Sequence, residues 1–177
     1  MRRALVLPLA ALLAASCSGK DPYNPGTPLG VFHVKGKLAS NACAAPDQVP
    51  DPWEFEVKLS RDAATLYWIQ GGLPVQGHLD ANAHAQMTAS DSREIRAADP
   101  KHNVSGCTLR RDDHLDATLG GEPVTAFKGT LSYTFSPTEE SDCSDQITGA
   151  GGGFATLPCK VSYELTAVKT GKTTVSY

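Results

Sequence analysis

Several short clusters in this chain bring together side chains capable of chemistry. His78, Asp80, Asn82 and His84 follow one another at a spacing of two. On one straight strand they would share a face and could offer nitrogen and oxygen to a metal. Asp80-Ala81-Asn82-Ala83 also has the composition of a hairpin tip, which places His78 and His84 on different strands near the turn. The balance favours surface histidines over metal ligands. Asp112-Asp113-His114-Leu115-Asp116 gathers carboxylates beside an imidazole, and an Asp-Asp pair ahead of an alternating segment reads most simply as a turn. Ser141-Asp142-Cys143-Ser144-Asp145 offers carboxylates to calcium but lacks the oxygen count and glycine placement of a calcium loop. The sequence therefore calls for no metal and no cofactor.

A nucleophilic enzyme needs Ser or Cys beside a base and an orienting group. The Gly-x-Ser-x-Gly elbow is absent from the chain. A carboxylate pair for glycoside hydrolysis cannot be picked from the 19 acidic residues by spacing. Asn103-Val104-Ser105 is a formal glycosylation sequon. Aromatic residues are the remaining candidates, because a ring on a sheet face can stack on an apolar or sugar ligand. Trp53, Tyr133 and Tyr163 are in phase with core positions and read as core. Tyr67-Trp68-Ile69 differs. Three bulky residues in a row must send at least one to the outer face of a strand, which marks a candidate ligand or partner contact.

The elements that position these residues have a period of two. Phe32, Val34 and Leu38 alternate with His33, Lys35 and Lys37. The same pattern runs through Trp53 to Leu59, Phe127 to Phe135 and Leu157 to Leu165. Strands with one buried and one wet face look like this, and antiparallel sheets contain them. Weaker strands lie at 65–70, 73–79, 84–89, 107–111 and 114–119. Arg61 to Ala64, Gly71-Gly72, Asp80 to Ala83 and Asp112-Asp113 supply turns between them. Asp91 to Ala98 reads as a turn of helix or a frayed strand. Pro137 to Gly153 is a long loop. The expected fold is all-β: an antiparallel meander of 8–9 strands closing as a small barrel or sandwich, with little helix. In period and spacing it resembles small lipocalin-like barrels, in architecture alone, since the Gly-x-Trp signature of lipocalins is missing. The inward-phase positions are nearly all apolar or Gly, which favours binding over catalysis.

The chain has five cysteines, Cys17, Cys43, Cys107, Cys143 and Cys159. The first follows Arg2-Arg3, an apolar run from Ala4 and the small residues Ala14-Ala15-Ser16. The run is too short to span a bilayer. This segment resembles the signal peptide of bacterial lipoproteins, with Ala14 where the family has leucine. The resemblance implies export, cleavage before Cys17, lipid on that cysteine and, with Ser18 next, an outer-membrane location. Lipidation of Cys17 leaves four cysteines, enough for two disulfides in an oxidising compartment. The favoured pairs are Cys43–Cys107 and Cys143–Cys159. A zinc site is disfavoured because no Cys-x-x-Cys exists.

The expected organisation is a signal peptide over 1–16, a lipidated flexible tether over 17–29 and one β domain over 30–177. Removal of Arg2 and Arg3 takes the net charge from −3 to −5. An acidic chain without a basic cluster is not a nucleic-acid binder. The expectation is a non-enzymatic envelope protein, anchored to the membrane at Cys17, that binds a small apolar ligand or an envelope protein or serves structurally. The alternative is a cell-envelope hydrolase on the same scaffold.

Overall fold

Period two carries through eight segments, and each becomes a strand. The structure, a computed structural model, describes residues 21–44 and 49–175; Cys17 and residues 1–16 lie outside the described residues. The strands are β1 (Thr27–Asn41), β2 (Trp53–Asp62), β3 (Thr65–Ile69), β4 (Val75–Leu79), β5 (His84–Arg96), β6 (Cys107–Gly120), β7 (Ala126–Pro137) and β8 (Cys159–Lys169). Each pairs with the next, and β8 returns to β1, so the sheet is a closed barrel. Every pairing is antiparallel. Closure removes most of the free edge of an open sheet, but Thr88 to Arg96 of β5 pairs only with β6. Helix among the described residues is limited to three short 3₁₀ turns, Pro100–His102, Ser144–Gln146 and Thr148–Ala150.

The inward phase is apolar where the barrel is packed. Phe32, Val34, Val57, Leu59, Leu66, Leu79, Ala85, Leu119, Phe127 and Leu165 are all buried and form one cluster. The Phe32 and Phe127 rings meet across it with centroids 5.6 Å apart, tilted by 54°. These side chains fill the half of the barrel that holds the start of β1 and the end of β8, the closed half. Small inward residues keep it narrow. A Cβ on Gly129 would lie 2.2 Å from the Asp116 carbonyl oxygen and 2.7 Å from Ala117, so only glycine lets β6 and β7 approach this closely. The outward phase carries His33, Lys35, Glu54, Lys58, Lys128 and Glu164, and all but the half-buried Lys58 are exposed.

One reading is corrected by the ladders and one is decided by them. Asp112-Asp113 is no turn. Asp112 pairs with Ser90 and Thr134, and Asp113 with Ala89 and Tyr133, so 107–111 and 114–119 are parts of one strand. The pair is tolerated there because arginines two residues earlier meet each carboxylate. Arg110 Nε donates to Asp112 at 2.9 Å, and Arg111 Nε to Asp113 at 2.8 Å. For Asp91 to Ala98 the strand alternative holds as far as Arg96, because β6 supplies it with a partner. Here an available ladder overrides local propensity.

The tether also ends sooner than its composition implies. β1 begins at Thr27, and the residues just before it fold back on the outside of β2. Ser60 Oγ donates to the Pro25 carbonyl at 2.5 Å, and Lys58 Nζ to Asn24 Oδ1 at 2.6 Å.

The disulfides are Cys43–Cys159 and Cys107–Cys143, which overturns the favoured pairing. Barrel closure is the reason. β1 and β8 are neighbours, with Asn41 opposite Val161, so the residues just beyond that ladder are Cys43 and Cys159. The β6–β7 ladder continues as Thr138 N donates to the Thr108 carbonyl at 2.9 Å, which brings Cys143 to Cys107. Their Cα atoms are 5.0 and 4.9 Å apart. Both bridges sit at the same end of the barrel.

Candidate functional site

That bridged end is the open half. Here the inward residues are larger and leave space. β3 and β4 have 5 residues each, and β4 pairs with β5 only over Gly77 to Leu79. β5, β6 and β7 have 13, 14 and 12 residues and rise beyond them. The wall is therefore low on one side and high on the other.

On the outer wall of this half a polar hollow of about 430 Å³ lies beside Asp112, His114, Ser132 and Lys160. Two cavities open toward the interior. One, of about 460 Å³, is lined by Cys43, Val49, Trp53, Phe135, Phe154 and Tyr163 among others. The second, of about 200 Å³, opens over the low wall and is bordered by Trp68, Leu73, Val75, Met87, Asp113 and Leu131. Arg111 and Tyr133 line both. Rings connect the two spaces. The Trp53 centroid is 4.5 Å from Phe55, 5.2 Å from Tyr163 and 6.0 Å from Tyr133, and Phe55 is 6.0 Å from Trp68. These tilted contacts suit aromatic pairs and fix ring positions.

The polar groups of this half centre on Arg111 and Asp113. Both are in phase with Leu109 and Leu115, which are buried, so alternation turns them toward the interior. Arg111 grips Asp113 with two hydrogen bonds, Nε to Oδ1 at 2.8 Å and Nη2 to Oδ2 at 2.9 Å. The guanidinium carbon lies 5.4 Å from the Tyr133 ring centroid, a cation–π contact. Burial pushes the Asp113 carboxyl above the usual carboxylate range. Arg111 opposes that shift, and the charges of Asp112 and Asp91 add to it. Burial also pushes the Tyr133 hydroxyl up, and the nearby Asp113 adds to this. Tyr133 is therefore a neutral phenol near neutral pH, able to donate.

The expectation that inward positions are nearly all apolar is corrected at these two residues. The signal was present: Leu109, Arg111, Asp113 and Leu115 alternate without a break. Reading Asp112-Asp113 as a turn hid it.

The other candidate residues fall as follows. Trp68 points inward and borders the smaller cavity. Tyr67 and Ile69 take the outer phase. Tyr67 is half-buried, and Ile69 is 6% exposed, so Ile69 presents no free surface. It pairs across the ladder with Lys58, whose ammonium holds Asn24 of the folded-back segment. His78 and His84 lie on adjacent strands, as the hairpin reading requires. His84 Nε2 meets Asp116 Oδ1 at 2.8 Å, and Gln86 Nε2 donates to Asp116 Oδ2 at 3.2 Å. The imidazole is the first cause holding the Asp116 carboxyl below its ordinary value. Asp145 pairs with Arg96, whose Nη2 also donates to the Asp142 carbonyl at 2.7 Å. Among the described residues no cluster of His, Cys, Asp or Glu is arranged to hold a metal. No known protein-family model matches the chain, and no curated protein sequence matches it.

Proposed function

We propose that this protein is a lipid-anchored envelope barrel that binds a small apolar molecule in its open half. The observation that carries this reading is the cavity of about 460 Å³ walled by Trp53, Tyr133, Phe135, Phe154, Val161 and Tyr163. Ligand sites are concave, mostly apolar and furnished with few polar groups, in the range of about 300–1,000 Å³. In the closed half, the pocket of about 170 Å³ bordered by Arg61, Asp80 and Glu122 is too small for such a ligand, which leaves the open half as its place. The charged outer wall supports a barrel that stands in water, since a membrane-spanning barrel carries an apolar outer band. Lipid on Cys17 would then supply the attachment, and two disulfides suit an oxidising compartment.

Native mass spectrometry of the protein taken from its own envelope tests the reading. A co-purified apolar molecule that leaves on delipidation is the expected result. Repeated recovery of ligand-free protein that also takes up no apolar dye would overturn it. For the anchor, Cys17→Ser should move the protein out of carbonate-washed membranes; retention there would sink the lipid attachment.

A further inference from the structure

We propose that the molecule held in the open half carries an anionic head, which docks on the free edge of the Arg111 guanidinium while its apolar body lies among Trp53, Tyr133, Phe135 and Tyr163. The inference rests on the binding reading above and adds the chemical class of the ligand.

Arg111 is the one residue type in the lining of both cavities that is always charged. A guanidinium has five N–H donors in a planar fork. Asp113 takes one from Nε and one from Nη2. Nη1 and the second Nη2 hydrogen have no acceptor among the described residues. They form the end-on edge of the fork, which matches a carboxylate, sulfonate or phosphate with two parallel bonds. The side chain is 49% exposed, so an incoming ligand can reach this edge. Asp113 and the Tyr133 face hold the plane in position before the ligand arrives. Little side-chain entropy is then left to lose on binding.

A purely structural salt bridge is the competing reading. It accounts for the Nε side of the fork. It does not account for an arginine set over a tyrosine face at the junction of two aromatic-walled cavities. The acidic partner also has a consequence. Asp113 partly neutralises the guanidinium, so removing its charge while keeping an oxygen that still accepts from Arg111 should strengthen an anion's hold.

Two dyes separate these readings. 1-Anilinonaphthalene-8-sulfonate and N-phenyl-1-naphthylamine share the same ring system and differ by the sulfonate. Both are titrated into the disulfide-intact protein by fluorescence. Arg111→Gln should weaken the sulfonate about tenfold or more, the loss expected for a charge-assisted hydrogen bond, and weaken the neutral dye far less. Asp113→Asn should tighten the sulfonate more than it changes the neutral dye. Binding of both dyes with no separation by either variant overturns the anionic head and leaves apolar binding standing. Failure of the parent protein to bind either dye overturns both. If circular dichroism shows Arg111→Gln unfolded, the Asp113→Asn titration decides alone.

Discussion

The two halves of this barrel are built differently. In the closed half Phe32, Leu59, Leu66, Phe127 and Leu165 meet across the interior and leave no exposed surface worth noting. In the open half Trp53, Phe135 and Phe154 remain partly exposed around empty space. Both disulfides are in the open half. Packing holds one end and covalent bonds hold the other. A cavity forgoes the contacts that a filled core would make. Crosslinks at the rim offset that loss without filling the space. The open half can therefore keep room for a ligand while its loops stay attached.

The strongest test of this contrast is to cut the crosslinks. Replacing Cys43 and Cys159 together by Ala removes a closure spanning 116 residues, which should lower stability by about 5 kcal/mol on the chain-entropy account. The Cys107–Cys143 pair spans 36 residues and should cost less, about 4 kcal/mol on the same account. Urea unfolding reads both. Equal or negligible losses would mean that covalent closure is not what holds the open half.

Packing comes next. Phe127→Ala empties part of the closed half and should cost about 3–5 kcal/mol. Phe154→Ala lies at the partly exposed rim and should cost about 1 kcal/mol, since little burial is lost. A rim substitution as costly as the core one would erase the distinction between the halves.

The smallest effect is a difference in the sign of pH dependence. Asp113 binds its proton more tightly in the folded protein than in the unfolded chain, because burial raises its carboxyl above 3.8. Its contribution to stability therefore falls as pH rises from 3.8 through the folded value. Asp116, on the outer wall, is lowered from 3.8 by its bonds to His84 and Gln86. Its contribution is present above 3.8 and is lost as pH falls through the folded value. Asp113→Asn should flatten a falling limb in the urea midpoint above pH 3.8. Asp116→Asn should remove a rising one. The same slope from both variants would mean that Asp113 is not desolvated within the barrel mouth.

Much of the architecture was legible because it repeats. Phe32-His33-Val34-Lys35 and Trp53-Glu54-Phe55-Glu56 can satisfy both faces only as strands between a core and water. The hairpin tips at Arg61 to Ala64 and Asp80 to Ala83 were marked by their own turn chemistry. The candidate site was less legible. Arg111 and Asp113 are charged residues at inward positions, so composition argued for a turn where the ladders on either side impose a strand. Trp68 stood out as a bulky residue in a bulky run. Its neighbours could not say whether its side of the strand was the wet one.

The sequence by itself determined the all-β class and the strands whose alternation is unbroken, such as Phe32 to Lys35 and Trp53 to Leu59, because alternation and turn chemistry are local and act within a few residues. It also carried the resemblance around Cys17 that suggests export and lipidation. Only the tertiary structure decided that the meander closes as β8 on β1, and closure chose the disulfides. Cys43 and Cys159 are 116 residues apart in the chain and 5.0 Å apart at their Cα atoms, a proximity no local pattern encodes. The same closure made one end full and the other hollow. Whether an inward residue meets packing or space depends on side chains brought to it from distant strands.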